Sequence, residues 1–416
     1  VYIRCWPLHN GLMRSISSLA WLTLATFVAA CTPAENDVFG EPEMLSMPTT
    51  GNVSGPRFSE GDFGSLVLSW MEARGSGTDL KFAVYGGRDF GKATSVVTEP
   101  RMFVNWADLP SVMHVSESHW LAHWLRYSAD RTYSYDVVVS QSFDGGKIWS
   151  DPVAAHADGT PTEHGFVSLH RDPEGVALLW LDGRETANEP TEDVLDTSMT
   201  LRSAVITPEG ERVREQIVDD SVCDCCQTDV AISASGPIAV YRDRTADEIR
   251  DIYVTRFVDG EWQAGVPLHA DGWRIPGCPV NGPSIVAQHD TVAVAWFTAA
   301  DSVPSVRVSF SSDGGVSFGD PIEIASGRVA GWVGLTIIDD NALAVSWVSK
   351  TETGSNAVNV RRVSSDGQRG PVKTIGTTGQ LRVFPQLAYR EKHLILAWTD
   401  EIGGERQMRI ARIPVS

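Results

Sequence analysis

Thr291-Val-Ala-Val-Ala-Trp296 is a short apolar run with the composition of a buried strand, and it closes on a large aromatic ring. The same pattern returns as Gly64 to Trp70, His119 to Trp124, Val176 to Trp180, Pro237 to Tyr241, Ala342 to Trp347 and His393 to Trp398. Successive closing aromatics stand 51–61 residues apart, so the chain is a repeat. A unit of about 50 residues made of several short strands is the period of a propeller blade, whose small sheet needs neighbours to bury its faces.

Each unit supplies the other strands of a blade. A second period-2 run follows every aromatic-ended one, from Leu80 to Tyr85 in the first unit to Gln407 to Ile413 in the last, and this makes the aromatic strand the second of its blade. Ahead of it lies a shorter apolar stretch such as Val167 to His170 or Ser284 to Ala287, read as the innermost strand. Outer strands are expected at Trp149 to Ala154, Phe318 to Ala325 and Val372 to Gly376. The seventh unit runs out of chain before an outer strand, and Met44 to Met47 is expected to supply it, which would protect an open edge. The fold class is therefore all-β, a seven-bladed β-propeller closed by an N-terminal strand, with six blades as the alternative.

Residues 1–12, including Cys5, read as a start-site artefact ahead of Met13. Residues 13–30 carry an arginine, the apolar stretch Leu19 to Ala30 and then Val28-Ala-Ala-Cys31, the small residues that a lipoprotein signal peptidase requires. Cys31 is the expected lipidation site, residues 31–40 a tether, and residues 41–416 the propeller, placing the protein in the cell envelope with the lipid as its only membrane contact. With 53 acidic against 34 basic residues the net charge is −19, which repels polyanions and argues against nucleic acid as a partner.

Ser142-Phe-Asp-Gly-Gly-Lys-Ile-Trp149 and Ser311-Ser-Asp-Gly-Gly-Val-Ser-Phe318 resemble the Asp box, or bacterial neuraminidase repeat, of sialidase-like propellers, with weaker echoes at Ser364 to Gly367 and Asp259 to Trp262. The aspartate accepts backbone amides across the turn, the glycines permit positive φ, and the aromatic packs between sheets. The resemblance implies the superfamily fold and names no substrate. Sialidase catalytic roles are not carried over: their Arg-Ile-Pro signature opens the first blade, whereas Arg274-Ile-Pro276 here falls between the fourth and fifth, and sialidases have six blades. Cys223-Asp-Cys-Cys-Gln227 with Gly277-Cys-Pro-Val-Asn-Gly-Pro283 also resembles exported proteins of sialidase-like type, without implying a chemistry.

Because such turns join third to fourth strands, the working face is expected on the opposite side, built from second-to-third loops and blade-to-blade links. Arginines cluster there: Arg74, Arg126, Arg184, Arg242, Arg244 and Arg250 are candidate substrate-binding residues, since the guanidinium fork suits carboxylate or sulfate. Asp243, Asp182 and Glu72 are the candidate catalytic carboxylates and His164 the candidate proton carrier. Flanking arginines are expected to favour the ionised form of Asp243. Trp106 and Trp332 are candidates for stacking on a sugar ring.

Cys223, Cys225, Cys226 and Cys278 fall in links entering adjacent blades, so they are expected to meet on the working face. Outside the cytoplasm two disulfides are expected, with Cys278 bonded into the triplet. The alternative is a soft-metal site; no cofactor is expected otherwise, with copper or zinc as the ions such thiolates would take. These features give three function classes. They are a carbohydrate-active enzyme, hydrolase or lyase, on an anionic glycan; a non-catalytic glycan- or protein-binding propeller; and a copper-handling lipoprotein. A monomer with an anionic carbohydrate or other small anionic ligand as partner is expected.

Overall fold

The computed structural model describes residues 38–416 apart from 50, 62–63, 188–197 and 380–382. The expected artefact, signal segment, tether start and Cys31 therefore lie outside the described residues. No helix among the described residues is long and apolar enough to cross a membrane.

Seven antiparallel sheets follow one another along the chain. Blade 1 is built from Val53–Glu60, Leu66–Arg74, Gly77–Val84 and Thr94–Glu99, and blade 2 from Ser111–His114, Trp120–Tyr127, Tyr135–Ser142 and Val153–Ala154. Blade 3 comprises His164–Asp172, Gly175–Asp182, Met199–Ile206 and Arg212–Val222. In blade 4 the strands Asp229–Ser233, Gly236–Arg242 and Ile252–Val258 are edged by the short pairs Glu261–Trp262 and Val266–Pro267. Blades 5 and 6 run Ser284–Gln288 to Ile322–Ser326 and Val329–Asp339 to Lys373–Thr378. Blade 7 has three strands from the end of the chain, Gln386–Arg390, His393–Ile402 and Glu405–Pro414. Its fourth is Glu43–Met44, with Glu43 opposite Arg412 and Met44 opposite Ala411. The expected closure is present, set one residue earlier than the sequence suggested.

The expected order within a blade also holds, because the first strands of all seven blades line one axial cavity of about 860 Å³. The closing aromatics explain why the blades stay together. Trp70, Trp124, Trp180, Trp296 and Trp347 are fully buried, and apolar clusters sit between successive blades. Leu68 and Trp70 of blade 1, for example, share a cluster with Ile395, Ala397 and Ile410 of blade 7. Alternation puts one side of each second strand against the preceding blade and the other against the next, so both faces of the small sheet are covered.

The two aspartate-containing turns sit at third-to-fourth connections. Asp144 Oδ1 accepts the amides of Lys147 and Ile148 at 3.0 and 2.9 Å, and Asp313 Oδ1 accepts those of Val316 and Ser317 at 3.0 Å each. Gly146 and Gly315 adopt φ of 80° and 82°, and a Cβ at Gly146 would stand 2.8 Å from the Phe82 ring. Glycine is required there by both conformation and space. The opposite end carries the second-to-third loops and the links, among them Arg184, Arg244, Arg250 and the four cysteines Cys223, Cys225, Cys226 and Cys278.

Candidate functional site

A repeated clasp accounts for several of the candidate charges. Trp70 Nε1 donates to Glu72 and Trp124 Nε1 to Glu99, both at 3.4 Å, while Trp180 donates to Asp182 and Trp296 to Asp271, both at 2.7 Å. In blade 4 the Tyr241 hydroxyl replaces the indole and donates to Asp219 at 2.6 Å. A buried N–H needs an acceptor, and a carboxylate drawn into the core needs a cation. The cations are Lys81 on Glu72 at 2.8 Å, Arg126 on Glu99 at 2.5 Å, Arg184 on Asp182 at 2.7 Å, and Arg307 on Asp271. Glu72, Asp182, Arg126 and Arg184 therefore have a structural task that recurs around the ring without any substrate. Arg74 is an exposed side chain paired with Asp79 at 3.2 Å.

Blade 3 adds titratable groups to its clasp. His164 is fully buried and stacks on His156 with ring centroids 3.7 Å apart and planes 9° apart. His164 Nδ1 faces the carbonyls of Tyr135 and Thr162 at 3.2 Å, and Nε2 lies 3.3 Å from Asp158 and 3.7 Å from Asp182. Burial disfavours the imidazolium, but Asp158 and Asp182 outweigh it and raise the His164 pKa. Against burial, hydrogen bonds from His156 and His164 hold Asp158 well below the ordinary carboxylate range. Arg184 bridges the same carboxylates, 3.4 Å from Asp158, and reaches Glu215 at 3.1 Å.

Blade 4 separates the residues that sequence placed side by side. Arg242 points into the protein, donating to the carbonyls of Asn281, Arg250 and Phe297 at 2.9, 2.5 and 2.7 Å, with its guanidinium 4.8 Å above the Trp273 ring. It fastens blade 4 to blade 5 and does not face a ligand. Arg244 and Arg250 instead grip one carboxylate. Arg244 Nη2 meets Glu248 Oε1 and Arg250 Nη2 meets Oε2, each at 2.8 Å, and Arg244 also holds Asp224 at 3.1 Å. Glu248 sits at φ 59°, in the left-handed region, at the tip of this loop. Asp243 departs from expectation: burial and the charge of Asp219 push it up to about 7, and Tyr253, not an arginine, is its hydrogen-bonding side chain.

Among the described carboxyls with access to solvent, Glu163, half-buried in the link between blades 2 and 3, is the one raised furthest. Burial, with the charges of Asp108 and Asp224, pushes it up to about 8 despite the hydrogen bond that the buried Tyr135 hydroxyl donates to it. Asp108 is pushed up to about 7 by burial; its Oδ1 accepts the Phe166 amide at 2.8 Å and its Oδ2 has no hydrogen-bond partner. Arg57 enters the axial cavity beside Asp229 and Asp108; burial lowers its pKa, although the charges of both carboxylates oppose the shift. Trp106, Trp332 and Phe384 meet with centroids 5.7–5.9 Å apart, and Phe384 lines that cavity. Trp106 is half-buried and Trp332 buried, its indole donating to the Val280 carbonyl at 3.0 Å.

The cysteines converge as expected. Cys223 is bonded to Cys226 and Cys225 to Cys278, with Cα separations of 5.7 and 6.1 Å. The two bridges touch, Cys223 Sγ lying 3.9 Å from Cys225 Sγ, and Arg250 Nη1 lies 3.6 Å from Cys223 Sγ.

The structure thus gathers His164, Asp182 and Arg184 at one place and Arg244, Arg250 and the cysteines at another, on the same face. It leaves Glu72, Arg74 and Arg126 in blades 1 and 2, and Arg242 inside. Glu163, Tyr135, Asp108, Asp224, His156 and Asp158 escaped the sequence reading. The local signal for Glu163 was its place beside His164 in a link, and for Asp224 its place inside the cysteine triplet.

No protein-family model and no curated protein matches the chain. Solved structures do share the fold. A protein of unknown function from Dyadobacter fermentans is 12% identical, with 92% of this chain and 100% of that one covered and a TM-score of 0.51. An α-L-arabinofuranosidase from Fusarium graminearum, solved with an iminosugar inhibitor, is 13% identical over 90% of this chain and 97% of its own, with a TM-score of 0.48. The polysaccharide lyase Uly1 is 9% identical over 89% and 92%, with a TM-score of 0.49. At 12% identity the likeness to the first of these extends to fold alone, and the class, a β-propeller, is defined by the seven sheets described above.

Proposed function

We propose that this propeller is a carbohydrate-active enzyme, a glycoside hydrolase or lyase acting on an anionic glycan, and that Glu163 is its proton donor. The observation that carries the reading is a half-buried carboxyl pushed up to about 8, which holds its proton at neutral pH on the face where links and loops meet. Protonating a leaving glycosidic oxygen needs such a group, and a second carboxylate must act beside it. Asp224, whose charge raises Glu163, is the second carboxylate. Trp106, half-buried like Phe384, is the stacking platform for a sugar ring. Arg244 and Arg250 already hold a carboxylate in two forks, and a uronate that displaced Glu248 would meet the same donors. Export and lipid attachment at Cys31 belong to the same proposal and rest on the sequence signal.

The test is turnover of a panel of polysaccharides, read as new reducing ends for hydrolysis and as the ultraviolet absorbance of an unsaturated uronate for elimination. Wild-type protein is expected to form product with at least one acidic polysaccharide, and Glu163→Gln to bind it without product. Equal turnover by Glu163→Gln would remove Glu163 from the chemistry. Binding by the wild type with no product from any glycan would make the propeller a binding module.

A further inference from the structure

The sulfur cluster holds an arrangement that two disulfides do not by themselves explain. Bonding accounts for the approach of Cys223 to Cys226 and of Cys225 to Cys278, but not for the 3.9 Å between Cys223 Sγ and Cys225 Sγ. As a result the sulfurs of Cys223, Cys225 and Cys226 all lie within 4.8 Å of one another. They come from one tight segment, Cys223-Asp-Cys-Cys226, in which the intervening carboxylate turns away. Asp224 Oδ1 accepts the Met199 amide at 2.9 Å and Oδ2 faces Arg244, so no hard oxygen of that residue enters the sulfur group. Cys223 and Cys226 are buried, Cys225 is half-buried and Cys278 is exposed. The outer bridge is thus the one a reductant reaches, and the inner bridge lies directly behind it.

We propose that reduction converts this cluster into a site for one soft cation, Cu(I), held by the thiolates of Cys223, Cys225 and Cys226. Each bridge takes up two electrons and two protons as its S–S bond breaks, so two equivalents of a phosphine reductant, each oxidised to its phosphine oxide with water as the oxygen source, deliver four thiols. Reduction of Cys225–Cys278 frees Cys225, whose thiolate attacks Cys223 and releases Cys226; a second equivalent reduces the new bridge. Copper then displaces three protons. Thiolate is the ligand that selects Cu(I), and three converging sulfurs match its low coordination number. The charge balance suits the site: three thiolates with Cu(I) leave two negative charges, the guanidinium of Arg250 lies 3.6 Å from Cys223 Sγ, and Arg244 pairs with Asp224 of the same segment. The same cations favour the thiolate forms on which binding depends. Cys278, bonded only to Cys225 and on a separate link, is outside the trio.

The experiment reduces the whole protein with tris(2-carboxyethyl)phosphine under nitrogen, adds Cu(I) with bathocuproine disulfonate as competitor, and measures copper and thiolate-to-copper absorbance after desalting. About one copper per chain is expected in the wild type and in Cys278→Ser. Cys226→Ser is expected to hold it at least about 100-fold more weakly. If near-ultraviolet dichroism shows Cys226→Ser unfolded, Cys225→Ser, at a half-buried position, makes the same comparison. Reduced wild type that yields all its copper to the competitor would overturn the site. So would equal retention by the oxidised protein, by Cys226→Ser or by Cys225→Ser, or zinc held in preference to copper. Turnover of glycans is measured on the oxidised protein, so the two proposals fail separately.

Discussion

Blades 3 and 5 make the same clasp and use it differently. In blade 5, Trp296, Asp271 and Arg307 close on one another, and the neighbouring His269 stands 39% exposed, 2.9 Å from the carboxylate. In blade 3, Trp180, Asp182 and Arg184 do the same, but the neighbouring histidine, His164, is sealed inside with His156 and Asp158 around it. One is a fastening whose spare polar group is left to water. The other has been thickened into a buried charge network that borders Glu163. The contrast separates two sorts of charged residue in a repeat protein: those that recur at equivalent places are scaffold, and those found at one place are candidates for chemistry.

The comparison can be broken in several ways. The largest effect is expected at Glu163, where Gln should lower turnover by roughly 10²–10⁴ while the unfolding temperature stays near that of the wild type. Loss of stability with retained turnover would put Glu163 in the scaffold. Next, Asp271→Ala and Asp182→Ala should each cost about 3–5 kcal/mol in denaturant unfolding, because each leaves a buried indole N–H without its acceptor and takes a buried carboxylate away from its arginine. If only Asp182 mattered, the two clasps would not be equivalent.

A pH series sharpens the same distinction. Glu163, raised to about 8, and Asp108 and Asp243, raised to about 7, keep protons in the folded protein that ordinary unfolded carboxyls lose near pH ~4. Their contribution is fully present below the unfolded pKa and lost as pH rises through the folded values. The melting temperature should therefore fall between about pH 5 and 8, less steeply in Glu163→Gln. A rise over that range would contradict the assignment. Asp158, depressed, acts in the opposite sense and is lost only on strong acidification.

Smaller effects test the loops. Glu248→Ala empties two arginine forks and should tighten binding of a uronate-containing oligosaccharide several-fold by calorimetry, since the internal carboxylate no longer competes. Weaker binding would mean that Glu248 only organises the loop. Arg74→Ala, at a side chain 67% exposed, should change stability by less than about 0.5 kcal/mol.

The fold was legible because alternation and a closing aromatic report burial directly, and both depend on neighbours in the same strand. The closure by Glu43–Met44 was legible because an odd edge had to be covered. Pairings across the ring were not. Arg242 and Arg244 flank Asp243 in sequence, yet the strand ends at Arg242 and a loop begins, so Arg242 entered the core, Arg244 turned to Glu248, and Asp243 was left beside Asp219. Glu163 could not be singled out, since Asp108, Asp224 and Tyr135, which decide its proton affinity, come from other links and another strand. The cysteines were legible for the opposite reason: four sulfurs in two adjacent links have few other places to go.

Blade 7 takes its outer strand from residues that precede every other blade and its remaining three from residues that follow them all. A truncated chain that lacks its final strand cannot seal the disc, however well its earlier sheets have formed. Closure is thereby tied to the order of synthesis: a nascent chain that has not yet delivered Glu405–Pro414 presents raw edges to proteases. A circular permutant that joins the two ends and opens a turn elsewhere should keep the architecture while surrendering that safeguard.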